Sequence, residues 1–210
     1  ELCLKLSEYI PSSGNIEIIH PDTLVNSVYG EFSPVEIDSM MFYSTYKLFP
    51  DTGNISFKSR ILIYNKIMNS VSMAFDSLFY DDNYHYSLSS IGKYGNLYFT
   101  KCPLDTATDY CKIYSAQYSG NKLINIKQLN SEINPGNSNS RHPSFTTLAG
   151  NEYLIFSSDR DGGIGGYDIW YSMKNHNGEF ENCINAGDKI NSIENEITPF
   201  FFAKDTVLYF

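Results

Sequence analysis

SDRDGGIGGYDIW, residues 158–170, is the stretch whose reading decides the fold. Gly162, Gly163, Gly165 and Gly166 stand between two strand-like runs, LIFS (154–157) and DIWYS (168–172). Glycine admits positive φ and close backbone approach, so the run reads as the curled loop of a hairpin. Working outward, four strands fit around it: A at about 143–148, B at 152–158, C at 167–173 and D at 179–185.

The same unit recurs. MFYS, LYFT, LIFS and VLYF carry an aromatic at Tyr43, Phe99, Phe156 and Phe210, at intervals of 56, 57 and 54 residues. VNSVYGEFSP (25–34) and INSIENEITP (190–199) match in spacing, and INPGNSNSRHP (133–143) is a third copy one residue longer. A four-stranded antiparallel unit cannot cover both of its faces alone, so copies must stack, and radial stacking of such sheets is a β-propeller. The expected fold is all-β, with at least three complete blades and half-blades at both ends. As one domain over 1–210, the chain divides into a C/D half-blade (1–24), blades at about 25–78, 79–133 and 134–190, and an A/B half-blade (191–210). The arc is expected to be a piece of a larger ring. Pro34, Pro143 and Pro199 are expected to start or immediately precede innermost strands, where a missing N–H is tolerated.

Composition agrees with a strand-rich chain. Aromatics make up 15% of the 210 residues, and Tyr and Phe suit pleated surfaces. The net charge of −9 repels phosphate backbones and anionic lipid, which argues against nucleic acid and membrane insertion. No CxxC, HExxH or GxSxG occurs, so zinc and serine-hydrolase readings lack support, and GIGGYD lies between strands with no helix to hold phosphate. Cys102 and Cys111 flank an insert between NLYFT and KIYSA and form a disulfide candidate, dependent on an oxidising compartment.

Preceded by LIFS and followed by INSIENEITPFF, the 158–170 stretch resembles the TolB-type, WD40-like propeller repeat of OmpA-family envelope proteins of Bacteroidetes. Several of those belong to the type IX secretion and gliding apparatus. The resemblance implies a non-catalytic propeller in the periplasm or at the outer membrane, docking a protein or peptide partner. Peptidoglycan association would come only through OmpA-like domains that this sequence lacks. That location is also one in which a Cys102–Cys111 bridge would persist.

Within this frame Asp159, Gly162, Gly163, Gly165, Gly166 and Asp168 form a structural loop, Asp168 accepting hydrogen bonds from loop amides. No cofactor is expected, and the alternative is calcium held by Asp159, Asp161 and Asp168. The B–C loops and D-to-next-A loops share one face, which gathers the polar insertions 45–60, 101–110 and 158–166 with 26–31, 80–86, 134–142 and 191–197. Contact residues expected there are Arg141 and His142 just before strand A, His85 in the preceding blade's equivalent loop, Arg160, Glu31 and Glu196. Two rival readings stand beside protein docking: a glycan-binding or glycan-cleaving propeller, with Glu31 and Glu196 as converging acids, and a purely structural spacer.

Overall fold

The computed structural model describes residues 23–50, 55–76, 79–106 and 109–210, and of residues 50, 55, 88, 89 and 93 only the backbone. The proposed N-terminal half-blade lies almost wholly outside the described residues. Three four-stranded antiparallel meanders follow one another: β1 (Gly30–Ile37), β2 (Met40–Pro50), β3 (Ile55–Asn65) and β4 (Ser70–Met73); β5 (Tyr84–Ile91), β6 (Asn96–Pro103), β7 (Lys112–Ser119) and β8 (Lys122–Gln128); β9 (Ser140–Leu148), β10 (Asn151–Ser158), β11 (Asp168–Lys174) and β12 (Phe180–Asn185). A two-stranded start of a fourth sheet, β13 (Phe200–Phe202) and β14 (Val207–Tyr209), closes the series. The first strand of each sheet packs on the first strand of the next, β1 on β5, β5 on β9 and β9 on β13, which makes these four the innermost strands of a propeller.

Period-2 alternation on the second strands explains why the sheets must stack. Phe42 joins a core shared by the first two blades with Ile61, Phe75, Tyr86, Leu97 and Phe99, while its neighbours Met41 and Tyr43 face the other way. In the same manner Tyr98 turns from Leu97 and Phe99 toward Phe156 and Trp170 of the third blade. Each sheet is therefore apolar on both faces. Serines lock the inner strands together in register: Phe145 N donates to Ser90 Oγ at 3.0 Å, and one blade on, Phe201 N donates to Ser144 Oγ at 3.4 Å.

The prolines mark the innermost strands, in a manner that differs from the expectation at two of three sites. Pro199 immediately precedes β13, but Pro34 and Pro143 lie inside β1 and β9, where the register shifts between Phe32 and Val35 and between Arg141 and Ser144. A bulge leaves one residue out of the ladder, so the absent N–H costs nothing there. The residues before them, Ser33, His142 and Thr198, hold φ of 53°, 54° and 55°.

Two further placements differ from the sequence reading. The 45–60 insertion is mostly strand: β2 and β3 pair continuously from Met40↔Asn65 to Pro50↔Ile55, and the β-prone KLF and ISFKS runs extend the hairpin beyond its blade. Arg141, His142 and His85 lie within β9 and β5 rather than in the preceding loops.

Candidate functional site

The B–C and D–A loops meet on one face and hold each other. Asn139 N and Nδ2 both donate to the Asp159 carboxylate at 2.6 Å, and Asn139 Oδ1 takes Cys111 N at 2.9 Å. Gly166 N donates to Glu194 O at 2.8 Å, Glu196 N to Tyr167 O, and Tyr167 N to Asn195 Oδ1. This approach accounts for two of the glycines: a Cβ on Gly165 would stand 2.3 Å from Ser192 O, and one on Gly166 would stand 2.4 Å from Asn195 Oδ1. Gly162 adopts φ of 88°, and Gly163 is pressed on Asp168. Asp168 is fully buried and accepts hydrogen bonds from Ile164 N, Gly165 N and Asn185 Nδ2. Asp159 and Asp168 are thus turned to different partners, and Asp161 is exposed.

The residues singled out for contact serve the scaffold. Arg160 donates to the carbonyls of Glu132 and Ile133, to Ser140 Oγ and to Ser158 Oγ, with its guanidinium over Phe156 and Trp170. Arg160 is half-buried, and these contacts hold its guanidinium on the scaffold. Glu31 accepts Ser27 Oγ at 2.5 Å, and Glu196 accepts Ser192 Oγ at 2.5 Å and Ser192 N at 3.0 Å, so each carboxylate closes its own five-residue loop. His85 Nδ1 accepts Ser59 N of the preceding blade at 3.1 Å. Burial, then the charges of Arg60 and Lys58, lower its pKa and keep the imidazole a neutral acceptor. Arg141 stacks on Tyr167 at 4.1 Å and donates to its hydroxyl. Burial pushes the His142 imidazole down to about 4, with Arg141 adding to the effect, and its Nδ1 is buried without a partner.

The loop face carries a cleft that the sequence reading did not single out. It has a volume of about 210 Å³ and opens at the upper end of the second blade. Its walls are Tyr84 from β5, Tyr110 from the B–C loop and Tyr114 from β7; Lys101, Asp109, Lys112 and Gln128 supply the polar groups. Pairing places them on one side of the sheet, since Tyr86↔Lys101↔Lys112 and Phe99↔Tyr114↔Gln128 are direct cross-strand neighbours. Tyr84 Oη donates to Asp109 Oδ2 at 3.0 Å, and that bond, ahead of burial, raises the phenol's pKa. Tyr114 Oη donates to Gln128 Oε1 at 2.9 Å. The Lys101 ammonium lies 3.9 Å from the centre of the Tyr84 ring. Lys112 Nζ donates to the carbonyls of Pro135 and Ser138, and burial lowers its pKa.

A disulfide clamps the cleft. Cys102 and Cys111 are bridged, and their chain neighbours Lys101, Tyr110 and Lys112 all line it. The polar 101–110 insertion and the cysteine pair were the features that could have pointed to the cleft. Among the described residues no three His, Cys, Asp or Glu side chains gather as metal ligands.

Geometry of this kind defines the class, a β-propeller of four-stranded blades. No family model matches the chain, and no curated protein is similar to it. Among solved structures it is similar to an endo-arabinase of Bacteroides thetaiotaomicron, at 17% identity over 74% of this chain and 61% of that one, with a TM-score of 0.47. It is also similar to an α-L-arabinofuranosidase of Fusarium graminearum (13% identity, 72% of this chain and 46% of that one, TM-score 0.41). A further glycoside hydrolase is 13% identical over 80% of this chain and 52% of that one, with a TM-score of 0.30. The chain spans between about half and three-fifths of the length of these structures.

These findings correct the resemblance to TolB-like repeats of OmpA-family envelope proteins. No family model supports that assignment, and the three solved structures named above are glycoside hydrolases. The expectations of a non-catalytic protein, a docked protein partner and a place in type IX secretion fall with it. The physical reason lies in the GIGGYD loop: Gly165 and Gly166 answer to the approach of the 192–195 loop and Gly163 to the Asp168 side chain, demands of the propeller's own loops that carry no information about the cell envelope.

Proposed function

We propose that the chain forms part of a glycan-binding or glycan-cleaving β-propeller, with the cleft of the second blade holding a sugar ring. The observation that carries the reading is the cleft, not the likeness of fold. Pyranose and furanose rings present C–H faces that pack on aromatic rings, and hydroxyls that need donors and acceptors at their edges. Tyr84, Tyr110 and Tyr114 offer such faces, with a carboxylate, an amide and two ammonium groups around them. At about 210 Å³ the cleft is smaller than the roughly 300–1,000 Å³ of sites that engulf a drug-sized ligand, and it suits one ring of a longer chain. Asp109 is the carboxylate in the lining. Cleavage by the usual two-carboxylate route takes a second acid about 5–9.5 Å from the first, so binding and cleavage are separate questions.

A panel of polysaccharides and oligosaccharides tests both, with affinity read by calorimetry and cleavage by release of reducing ends. Binding of at least one glycan is expected, and Tyr110→Ala, which removes a wall residue that is 40% exposed, should weaken it about tenfold without lowering the melting temperature. A folded chain that neither binds nor cleaves any member of the panel would defeat the proposal.

A further inference from the structure

Resting on the glycan reading, we infer that the cleft takes an acidic sugar, a uronate whose carboxylate pairs with Lys101. The chain is strongly acidic, and among the described residues five lysines pair with acids: Lys58 with Asp82, Lys66 with Glu36, Lys122 with Asp76, Lys127 with Glu179 and Lys174 with Glu152. Lys101 does not. Among the described residues no carboxylate pairs with it, and its ammonium is instead held over the ring faces of Tyr84, at 3.9 Å, and Tyr86, at 5.8 Å. A ring face attracts the cation without pairing its charge, so the ammonium stays available to a carboxylate.

Lys112 adds a second ammonium to the same lining, fastened by backbone carbonyls and 5.2 Å from the centre of the Tyr110 ring. The lining carboxylate, Asp109, is already engaged by Tyr84 Oη and by Tyr110 N at 2.8 Å. The cleft thus presents two ammonium groups, aromatic walls and one occupied carboxylate. A neutral sugar gains little from two fixed cations. A uronate ring satisfies both parts at once, with its C–H face on tyrosine and its carboxylate at the ammonium edge.

Calorimetry with oligogalacturonides and oligoglucuronides, each beside its methyl ester, tests the inference, because esterification removes the charge and keeps the ring. The acids are expected to bind at least tenfold tighter than the esters, with the preference shrinking as salt rises. Lys101→Met should abolish the preference, read as the ratio of acid to ester affinity within the same variant. Lys101→Arg, which preserves the charge, should retain it and covers the case in which the methionine variant fails to fold. Esters binding as tightly as acids, or a preference that survives Lys101→Met, would overturn the inference while the glycan reading stands. Absence of binding to every acidic and neutral glycan would overturn both.

Discussion

The side-chain amide of Asn134 closes on the backbone of Ile113: Oδ1 accepts Ile113 N at 2.8 Å and Nδ2 donates to Ile113 O at 2.9 Å. One blade later Asn191 makes the same pair of bonds to Ile169, at 2.8 and 3.0 Å. In the second and third blades the loop leaving the fourth strand thereby grips the start of the third. Asn134 is buried, so truncation would orphan the buried Ile113 N–H, while Ile113 O keeps the Leu129 N–H at 3.0 Å. Asn134→Ala should cost roughly 1–3 kcal/mol, the cost of one buried donor left without its partner. Urea denaturation measures it, and a loss below about 0.5 kcal/mol would show that the grip is dispensable.

Those asparagines were legible in the sequence as repeat landmarks, and so were the blades. The alternation of Met41, Phe42 and Tyr43, and of Leu97, Tyr98 and Phe99, is a local property of a strand, and the glycines mark where it turns. The cleft was not legible. Tyr84, Lys101, Lys112 and Gln128 come from four strands and meet only through pairing register, which spacing along the chain does not encode. Arg160 reads as a contact residue because a polar loop carries it. Packing against Phe156 and Trp170 with bonds to two carbonyls is a tertiary outcome that no loop sequence displays.

Asp168 supports its loop by accepting two backbone amides and the Asn185 amide from a fully buried position. Asp168→Ala should destabilise the chain by roughly 1–3 kcal/mol, the cost of donors left unsatisfied. Chelator should leave the melting temperature of the wild type unchanged. A melting temperature that falls on chelation and recovers with calcium would instead assign the loop carboxylates to a metal.

His142 makes stability depend on acidity. Its pKa falls from 6.5 to about 4 on folding, by burial first and the Arg141 charge second. Between those values the unfolded chain binds the proton more readily than the folded one, so stability rises with pH across this interval. The contribution is fully present above about pH 6.5 and is lost as pH falls toward 4, with an upper size of about 3 kcal/mol. Denaturation curves for wild type and His142→Asn, measured from pH 7 to 4, should converge as acid is added. Parallel curves across the range would exclude His142 as the titrating group.

The Cys102–Cys111 bridge stabilises the fold and shapes the cleft, and the two roles separate experimentally. A closed loop of this sequence separation contributes roughly 2–3 kcal/mol by restricting the unfolded chain. The bridge also ties the ends of β6 and the B–C loop, so Lys101 and Tyr110 keep their spacing across the cleft. Replacing both cysteines with serine should lower stability by that amount in denaturant. Well below the melting temperature, where the variant is fully folded, glycan affinity should fall about tenfold, because loosening the loop makes binding bear the ordering of its side chains. Loss of stability with unchanged affinity would confine the bridge to the scaffold and free the cleft geometry from it.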